Sequence, residues 1–190
     1  MSAKGSTGPE PPLLVVVTGP VGGGKSTLGQ ALADHLRRES AAKVAVIDLD
    51  VVYCMLRQKA GFGEAELWPL ARRACRALAD CCFEDEFQDV VLEGEYFSQQ
   101  DFDALRSSEL DSHPMVAFVV NVSYAEALRR VGLDPSRGAS KDPVFLSRLH
   151  QDFVDALPFL RRTATVLDAE YADPNSLAAE VASLLAAIAR

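Results

Sequence analysis

A chain of 190 residues is long enough for one domain with a sizeable core, and 48% hydrophobic with 24% charged residues is an ordinary globular composition. The net charge of −8 argues against nucleic acid as a partner, although one local basic loop can still bind a small anion. No apolar run approaches the roughly 20 residues of a transmembrane helix, and residues 1–12 contain no apolar stretch of signal-peptide length. We therefore expect a cytoplasmic protein, monomeric or homodimeric, that does not associate with membranes.

The first twelve residues are rich in Gly, Pro and Ser and are predicted to be a disordered tail, which leaves residues 13–190 as a single domain. Near-continuous apolar runs predict five strands: Leu13–Thr18, Val44–Leu49, Val90–Leu92, Val116–Val122 and Ala164–Leu167. Strands without polar alternation are typically buried on both faces, as in a parallel sheet.

Helical periodicity fills the gaps between these strands. The apolar stripes are Leu28/Ala31/Leu32/His35/Leu36, then Leu67/Leu70/Ala71/Ala74/Leu78, then Phe145/Leu146/Leu149/Phe153/Leu157. Asp142 and Pro143 are expected to cap and begin the third helix, and Asp173-Pro174 to begin a last helix that carries Leu177, Leu184 and Ile188. Alternating strands and helices predict an α/β doubly wound domain with right-handed crossovers.

The four cysteines, Cys54, Cys75, Cys81 and Cys82, do not form a metal-binding pattern. They include no C-x-x-C pair, and no histidine stands beside them at ligand spacing, so we do not expect zinc. A disulfide between adjacent Cys81 and Cys82 would close a strained ring. Reduced thiols in the core are therefore the better interpretation.

A phosphate-binding motif follows the first predicted strand. The residues Gly19-Pro20-Val21-Gly22-Gly23-Gly24-Lys25-Ser26-Thr27 match G-x-x-x-x-G-K-[ST]. Glycines allow successive backbone N–H groups to surround phosphate oxygens, and the following helix adds the positive end of its dipole. We expect Lys25 to reach the β- and γ-phosphates, Ser26 to bind Mg²⁺ and Thr27 to support the α-phosphate side. The motif predicts ATP with Mg²⁺; the alternative is a glycine-rich turn with an exposed lysine.

Carboxylates end the second and third predicted strands. Asp48 and Asp50 would share one face of the second strand, and Glu93 and Glu95 follow the third. Because strand carboxyl ends line the ligand crevice of an open α/β sheet, these acids would face the phosphate loop. We expect Asp48 to hold Mg²⁺ through water, Asp50 to accept the proton of a substrate hydroxyl, and Glu93 and Glu95 to contact substrate. Otherwise they are capping or solvated acids.

Basic residues gather after the fourth strand, in and beyond the loop Gly132–Lys141. They are Arg129, Arg130, Arg137 and Lys141. This pattern fits a mobile lid that brings arginine to a transferring phosphoryl group. The alternative is a helix end with solvated charges.

The phosphate loop, the Asp48-Leu49-Asp50 strand end and the arginine-bearing loop together resemble the small P-loop kinases. These include shikimate, gluconate and adenylylsulfate kinases, chloramphenicol phosphotransferases and zeta-toxin-like kinases. The resemblance covers roughly residues 13–190. It implies a three-layer P-loop fold, in which the phosphate-loop strand is central to a five-stranded parallel sheet and a helical lid, about residues 125–160, closes over ATP. It further implies that Asp50 contacts the acceptor hydroxyl and that Asp48 lies nearer Mg²⁺. Arg130 and Arg137 then correspond to the lid arginines that act in catalysis, and Arg129 is the alternative nucleotide contact.

The chain also departs from individual members of this group. Glu93-Gly94-Glu95 stands where a shikimate kinase would show a glycine triplet, and Val51-Val52 follow the two aspartates where adenylylsulfate kinases carry Asn and Arg. Nucleoside monophosphate kinases need arginines around their anionic acceptor. Here only Arg57 is a candidate, because Arg72, Arg73 and Arg76 fit the solvated face of a helix.

Aromatic residues could instead build a ring-binding acceptor pocket, or they could be core. They are Tyr53, Phe62, Trp68, Tyr96 and Phe97. The candidate substrate contacts are Asp50, Tyr53, Arg57, Glu93, Glu95 and Tyr96. The sequence thus predicts an ATP-dependent kinase that phosphorylates a hydroxyl of a metabolite, nucleoside-like compound or antibiotic. The alternatives are a nucleotide or polynucleotide-end kinase, and a regulatory or accessory P-loop ATPase.

Overall fold

The computed structural model describes residues 12–40, 42–106, 113–135 and 137–188. Five strands are present: β1 Leu13–Thr18, β2 Val44–Asp48, β3 Asp89–Gly94, β4 Met115–Asn121 and β5 Thr165–Asp168. The α-helices are α1 Lys25–Ser40, α2 Leu49–Leu56, α3 Trp68–Glu84, α4 Gln99–Leu105, α5 Tyr124–Leu133, α6 Pro143–Thr163 and α7 Pro174–Ile188. Short 3-10 turns at Ala65–Leu67 and Ala139–Lys141 precede α3 and α6. The predicted tail lies outside the described residues except for its last residue, Pro12.

The strands form one parallel sheet in the order β2-β3-β1-β4-β5, with β1 in the centre. Alternate residues of β1 face opposite layers. Val15 and Val17 pack in a cluster that includes Leu32 of α1, and Leu14 and Val16 pack in a second cluster that includes Phe153 of α6. Since both faces are covered, every strand can be apolar on both sides. The predicted three-layer P-loop fold with a five-stranded parallel sheet is confirmed.

The carboxyl end of β2 differs from the prediction. Strand β2 stops at Asp48, whose side chain accepts hydrogen bonds from the backbone N–H groups of Asp50 (2.7 Å) and Val51 (3.4 Å). Asp48 is therefore the N-cap of α2, and Asp50 lies in the first helical turn. The prediction that both aspartates share a strand face is wrong, because the capping bonds turn the chain into a helix between them.

Helix α3 also presents a different face from the one predicted. Leu70 and Leu78 are 40% and 44% exposed, whereas Ala71, Cys75 and Ala79 are buried. Small side chains on the inner face let α3 approach the sheet and α4 closely. The predicted apolar stripe is correct at Ala71, and at Leu67 and Ala74, which pack partly buried against the core, but it is wrong at Leu70 and Leu78.

Two arginines of α3 also depart from the predicted solvated face, since Arg76 is buried and Arg72 is partly buried. The Nε atom of Arg76 lies 2.8 Å from Asp80, and Nη1 of Arg76 donates to the Leu105 carbonyl oxygen (2.7 Å). The Nε atom of Arg72 lies 3.0 Å from Asp101. Pairing with carboxylates makes this burial possible. Only Arg73 matches the prediction and is exposed.

Helix α6 forms as its sequence indicates. The Asp142 side chain accepts a hydrogen bond from the Val144 N–H group (2.9 Å), and Pro143 occupies the first turn. Leu146 and Phe153 are buried in the core. Asp142 is therefore the N-cap, as predicted, and the apolar stripe faces the sheet.

The four cysteines are free thiols in differing surroundings. Cys75 lies in the core, where burial raises the pKa of its thiol to about 11. Cys81 is exposed, so the expectation of core thiols does not hold for it. No helix in the described part of the chain is long and apolar enough to cross a membrane.

Candidate active site

The phosphate loop connects β1 to α1 in the conformation that its glycines allow. Gly22 has φ +76°, and a Cβ there would lie 2.7 Å from the Ala127 carbonyl oxygen. A Cβ at Gly19 would lie 2.4 Å from the Val120 carbonyl oxygen. Both positions therefore require glycine, and the loop packs directly against β4 and α5.

Lys25 is the first residue of α1 and closes the loop on itself. Its Nζ atom donates to the carbonyl oxygens of Gly19 and Pro20, each at 3.0 Å, and lies 3.9 Å from Glu95 Oε1. The ammonium is thus held at the mouth of the loop, where the α1 N-terminus adds positive potential. This arrangement suits the binding of an anion.

Functional groups from four parts of the chain line one cleft above the phosphate loop. Its walls are formed by Val21, Gly22, Gly24, Lys25, Ser26, Thr27, Asp48, Asp50, Glu93, Gly94, Glu95 and Arg137. The parallel register explains the convergence, because Glu93 pairs with Val17 on one side and with Asp48 on the other. The structure therefore brings together all four predicted carboxylates, the phosphate loop and one predicted arginine.

Three carboxylates in this cleft, Asp50, Glu93 and Glu95, have pKa values above those of free acids. Desolvation raises the pKa of Asp50, and the nearby Lys25 opposes that rise. Desolvation also raises the pKa of Glu95, again opposed by Lys25. A carboxylate with a raised pKa is a stronger proton acceptor, which suits a general base.

Glu93 is 6% exposed and lies beneath the loop. Desolvation raises its pKa, while a hydrogen bond from Ser26 lowers it. Its Oε2 atom has no hydrogen-bond partner among the described residues. Carboxylate and hydroxyl oxygens are the ligands that Mg²⁺ prefers, and Asp48 lies across the same cleft. Ser26, Asp48 and Glu93 thus fit a magnesium ion or its bound water.

No group of three or more His, Cys, Asp or Glu side chains within the described ranges forms a metal cage. Mg²⁺ usually takes one or two protein ligands and completes its shell with water and phosphate oxygens.

A second pocket lies on the other side of the phosphate loop and is largely apolar. It is lined by Gly23, Gly24, Thr27, Leu28, Val120, Arg129, Arg130, Ala169, Ala172, Pro174 and Leu177. Gly24 and Thr27 line both the pocket and the cleft, so one elongated ligand can occupy the two together. We call this space the base pocket, because apolar walls and guanidinium planes suit a flat heterocycle.

The predicted lid arginines lie in different places. Arg137 lines the cleft, and its Nε atom lies 3.1 Å from Asp134 Oδ2. Arg130 lines the base pocket and donates to the carbonyl oxygens of Gly23 (2.8 Å) and Ala169 (2.6 Å). Arg129 also lines that pocket but is mostly exposed. The structure thus brings Arg137 to the cleft and leaves Arg129 and Arg130 beside the base pocket.

The remaining predicted substrate contacts do not line the cleft. Tyr53 and Tyr96 are fully buried, and the Tyr53 ring stacks on Trp68 with centroids 4.1 Å apart. Arg57 donates to the Gly61 carbonyl oxygen (3.2 Å) and lies over the exposed ring of Phe62. In this conformation, Tyr53 and Tyr96 are core residues, and Arg57 belongs to the neighbouring surface loop.

Sequence reasoning missed two residues at the site. Gly94 separates Glu93 from Glu95, and a Cβ there would lie 2.6 Å from Leu49 Cβ. Glu126 is buried beneath Arg129 and Arg130 and accepts hydrogen bonds from both. The signal for Glu126 was its spacing of three and four residues before a pair of arginines on one helix.

The comparisons with known proteins agree with this geometry. The family model for adenylylsulphate kinase matches residues 11–84, somewhat less than half of the chain. A search of the curated proteins found no significant match. The likeness is therefore concentrated in β1, the phosphate loop, β2 and the helices that follow them.

Solved structures match over nearly the whole chain at low identity. A gluconokinase from Sinorhizobium meliloti 1021 is 18% identical, with 94% of each chain covered and a TM-score of 0.65. A shikimate kinase from Bacteroides thetaiotaomicron is 20% identical, covering 91% of this chain and 98% of its own, with a TM-score of 0.65. A Deinococcus radiodurans tunicamycin resistance protein is 17% identical, covering 92% and 95%, with a TM-score of 0.59. The resemblance predicted from the sequence is confirmed, and the chain has the fold of the small P-loop kinases.

Proposed function

We propose that this protein is an ATP-dependent kinase that transfers the γ-phosphoryl group to a hydroxyl of a small molecule. The observation that carries the proposal is the cleft in which the phosphate loop, Asp50, Glu95 and Arg137 meet. An anion-binding loop beside a candidate base and an arginine provides the groups that phosphoryl transfer needs.

ATP would span the two pockets. The base and ribose would lie in the base pocket against Arg129, and the phosphates would follow Gly24 and Thr27 into the loop. Lys25 would exchange its bonds to the loop carbonyls for the β- and γ-phosphates. Mg²⁺, held by Ser26 and by Asp48 through water, with Glu93 nearby, would neutralise charge on the phosphate oxygens.

The chemical step would use Asp50 and two cations. Asp50 accepts the proton of the acceptor hydroxyl while the oxygen of that hydroxyl bonds to the γ-phosphorus of ATP. The bond between the γ-phosphorus and the bridging oxygen breaks, and ADP leaves. Lys25 and Arg137 stabilise the charge on the transferring group. We assign this role to Arg137 rather than to Arg130, since Arg130 is held at the base pocket by Gly23 and Ala169.

We further propose that the acceptor is neutral or amine-bearing, without a carboxylate or phosphate beside the reacting hydroxyl. Asp50 and Glu95 line the acceptor side of the cleft. The nearest arginine of α3, Arg72, is occupied by Asp101 and by the Glu95 carbonyl oxygen (2.9 Å). An anionic acceptor would meet the carboxylates of Asp50 and Glu95, whereas the two cations that line the cleft, Lys25 and Arg137, are assigned to the transferring phosphoryl group.

A phosphoryl-transfer screen tests the function. We would supply ATP and Mg²⁺ with neutral, amine-bearing and anionic hydroxyl compounds, including the matched trio glucose, glucosamine and gluconate, nucleosides, and hydroxyl-bearing antibiotics. We expect product from a neutral compound, insensitive to salt, or from an amine-bearing compound. Product only from nucleotides or polynucleotide ends would favour the end-kinase alternative. ATP hydrolysis without any acceptor, stimulated by a partner protein, would favour an accessory ATPase.

Two substitutions then test the assigned roles. Lys25→Ala should abolish transfer by removing the cation at the phosphates. Asp50→Asn should lower kcat by about 10²- to 10⁴-fold, the usual contribution of a general base, while ATP affinity stays within a few-fold. Asp103→Asn, on the exposed surface of α4, is the matched control and should match wild type. Unchanged turnover of Asp50→Asn would refute the base assignment.

A further inference from the structure

Glu126 is a buried carboxylate that the proposed chemistry does not use. It lies in the first turn of α5 and is 8% exposed. Its Oε1 and Oε2 atoms accept from Nη2 and Nε of Arg129, both at 2.7 Å, and Oε1 also accepts from Nε of Arg130 at 2.6 Å. These charge-assisted bonds lower the pKa of Glu126 to about 2, so the carboxylate is ionised at any working pH.

Arg130, oriented by Glu126, connects three segments that are distant in sequence. One Nη atom donates to Gly23 of the phosphate loop, and the other donates to Ala169 and, at 3.3 Å, to Glu170 of the loop after β5. Its guanidinium plane is therefore fixed from three sides. A planar guanidinium that makes several hydrogen bonds holds its partners at a defined separation better than the ammonium group of a lysine would.

A second connection joins the same loop to the start of α5. Glu170 accepts from the Ser123 N–H group (2.7 Å) and hydroxyl (2.6 Å), and the Ser123 hydroxyl in turn accepts from the Glu126 N–H group (3.2 Å). The loop after β5 is thus held against α5 at two points, at the N-cap Ser123 and about two turns later at Arg130. This loop and α5 are two walls of the base pocket.

We propose that Glu126 is a positioning residue for the nucleotide: through Arg130, it holds the base pocket at a fixed spacing from the phosphate loop. The inference rests on the proposed ATP binding. A ligand that spans both sites needs this spacing, whereas a ligand that fills only the phosphate loop does not. Replacing Glu126 should therefore weaken ATP selectively, because binding must then restore the order that Glu126 maintains.

The test compares two ligands on one set of variants. Calorimetric titrations of wild type and Glu126→Gln would use Mg·ATP and inorganic tripolyphosphate with Mg²⁺. We expect the Kd for ATP to rise about tenfold or more and the Kd for tripolyphosphate to change less than threefold. In turnover assays, KM for ATP should rise with kcat nearly unchanged. Asp103→Asn, which removes the partner of Arg106 in an exposed intrahelical pair, is the control and should bind both ligands like wild type.

A double-mutant cycle separates this role from a general effect on folding. If Glu126 acts through Arg130, then Arg130→Gln weakens ATP comparably, and the double variant is no weaker than Arg130→Gln alone. Should Glu126→Gln fail to fold, Glu126→Asp, which keeps the charge but shortens the reach, should show the same selective loss.

Three outcomes would overturn the inference. Equal loss of ATP and tripolyphosphate affinity, accompanied by a lower Tm, would indicate a purely structural role for Glu126. Wild-type ATP affinity in the Glu126 variants would refute the inference alone. A wild-type protein that binds neither ligand would refute the proposed function and this inference together.

Discussion

Gly94→Ala should misplace the candidate base without touching the phosphate loop. A Cβ on Gly94 would lie 2.6 Å from Leu49 Cβ and 2.9 Å from Leu49 Cδ2. Ordinary contact begins near 3.4 Å, so the start of α2 must move away by about 0.8 Å. Leu49 is fully buried and lies between Asp48 and Asp50, so the shift would carry both carboxylates with it.

The expected effects follow from that displacement. Overpacking of a rigid core costs about 1–3 kcal/mol, which for a domain of this size lowers Tm by roughly 2–12 °C. A base displaced by somewhat less than 1 Å should lower kcat by roughly 10- to 100-fold. ATP affinity should change less than threefold, because β1 and α1 carry the phosphate loop.

Thermal melting, ATP titration and transfer assays would measure the three quantities. Gly132→Ala is the matched control, since a Cβ there meets no atom within 4 Å and alanine favours helix α5. It should melt at or slightly above the wild-type temperature. If Gly94→Ala melted and turned over like wild type, the contact with Leu49 would not set the position of Asp50, and the reasoning would fail.

Two further predictions concern pH and stability. Burial lowers the pKa of His150, so this side chain binds a proton more tightly in the unfolded chain than in the folded protein. The wild-type protein should therefore lose stability as pH falls through about 6.5. The variant His150→Gln should show a smaller drop in Tm between pH 7.5 and 5.0. An equal drop in both proteins would contradict this. Desolvation raises the pKa of Glu95, so the charged form of this side chain opposes folding at neutral pH. The variant Glu95→Gln should therefore raise Tm at pH 7.5, by about 2–4 °C for each kcal/mol of desolvation cost that is removed. The gain in Tm should vanish below about pH 4.5, where Glu95 is protonated in both states. A lower Tm at pH 7.5 would mean that the Glu95–Lys25 ion pair outweighs the desolvation.

The predicted elements were most accurate where local pattern and tertiary environment agree. Strand β1 was predicted with its observed bounds, because a run of β-branched residues ending at a glycine loop permits few other structures. Helix α6 was predicted with its cap, since an aspartate followed by proline satisfies the first helical N–H groups locally. In both cases, the decisive interactions lie within a few residues.

The errors occurred where distant contacts decide. On α3, two leucines are exposed and Arg76 is buried, which reverses the usual preference, and the partly buried Arg72 pairs with Asp101 of α4. Arg76 pairs locally with Asp80, but it also donates to the distant backbone carbonyl oxygen of Leu105. Periodicity cannot reveal such partners, because they lie about 30 residues away in sequence.

The sequence by itself determined that a loop with the phosphate-binding motif joins a buried strand to a helix, because each glycine and Lys25 acts through neighbouring backbone. It also supplied the carboxylates and arginines from which a kinase site can be built. Only the tertiary structure decided how they are distributed. Parallel pairing brings Asp48 and Glu93 to the same cleft, whereas the bonds of Arg130 to Gly23 and Ala169 place it at the second, apolar pocket and leave Arg137 in the cleft. The physical reason is that these assignments depend on hydrogen bonds between segments that approach one another only after the sheet has formed.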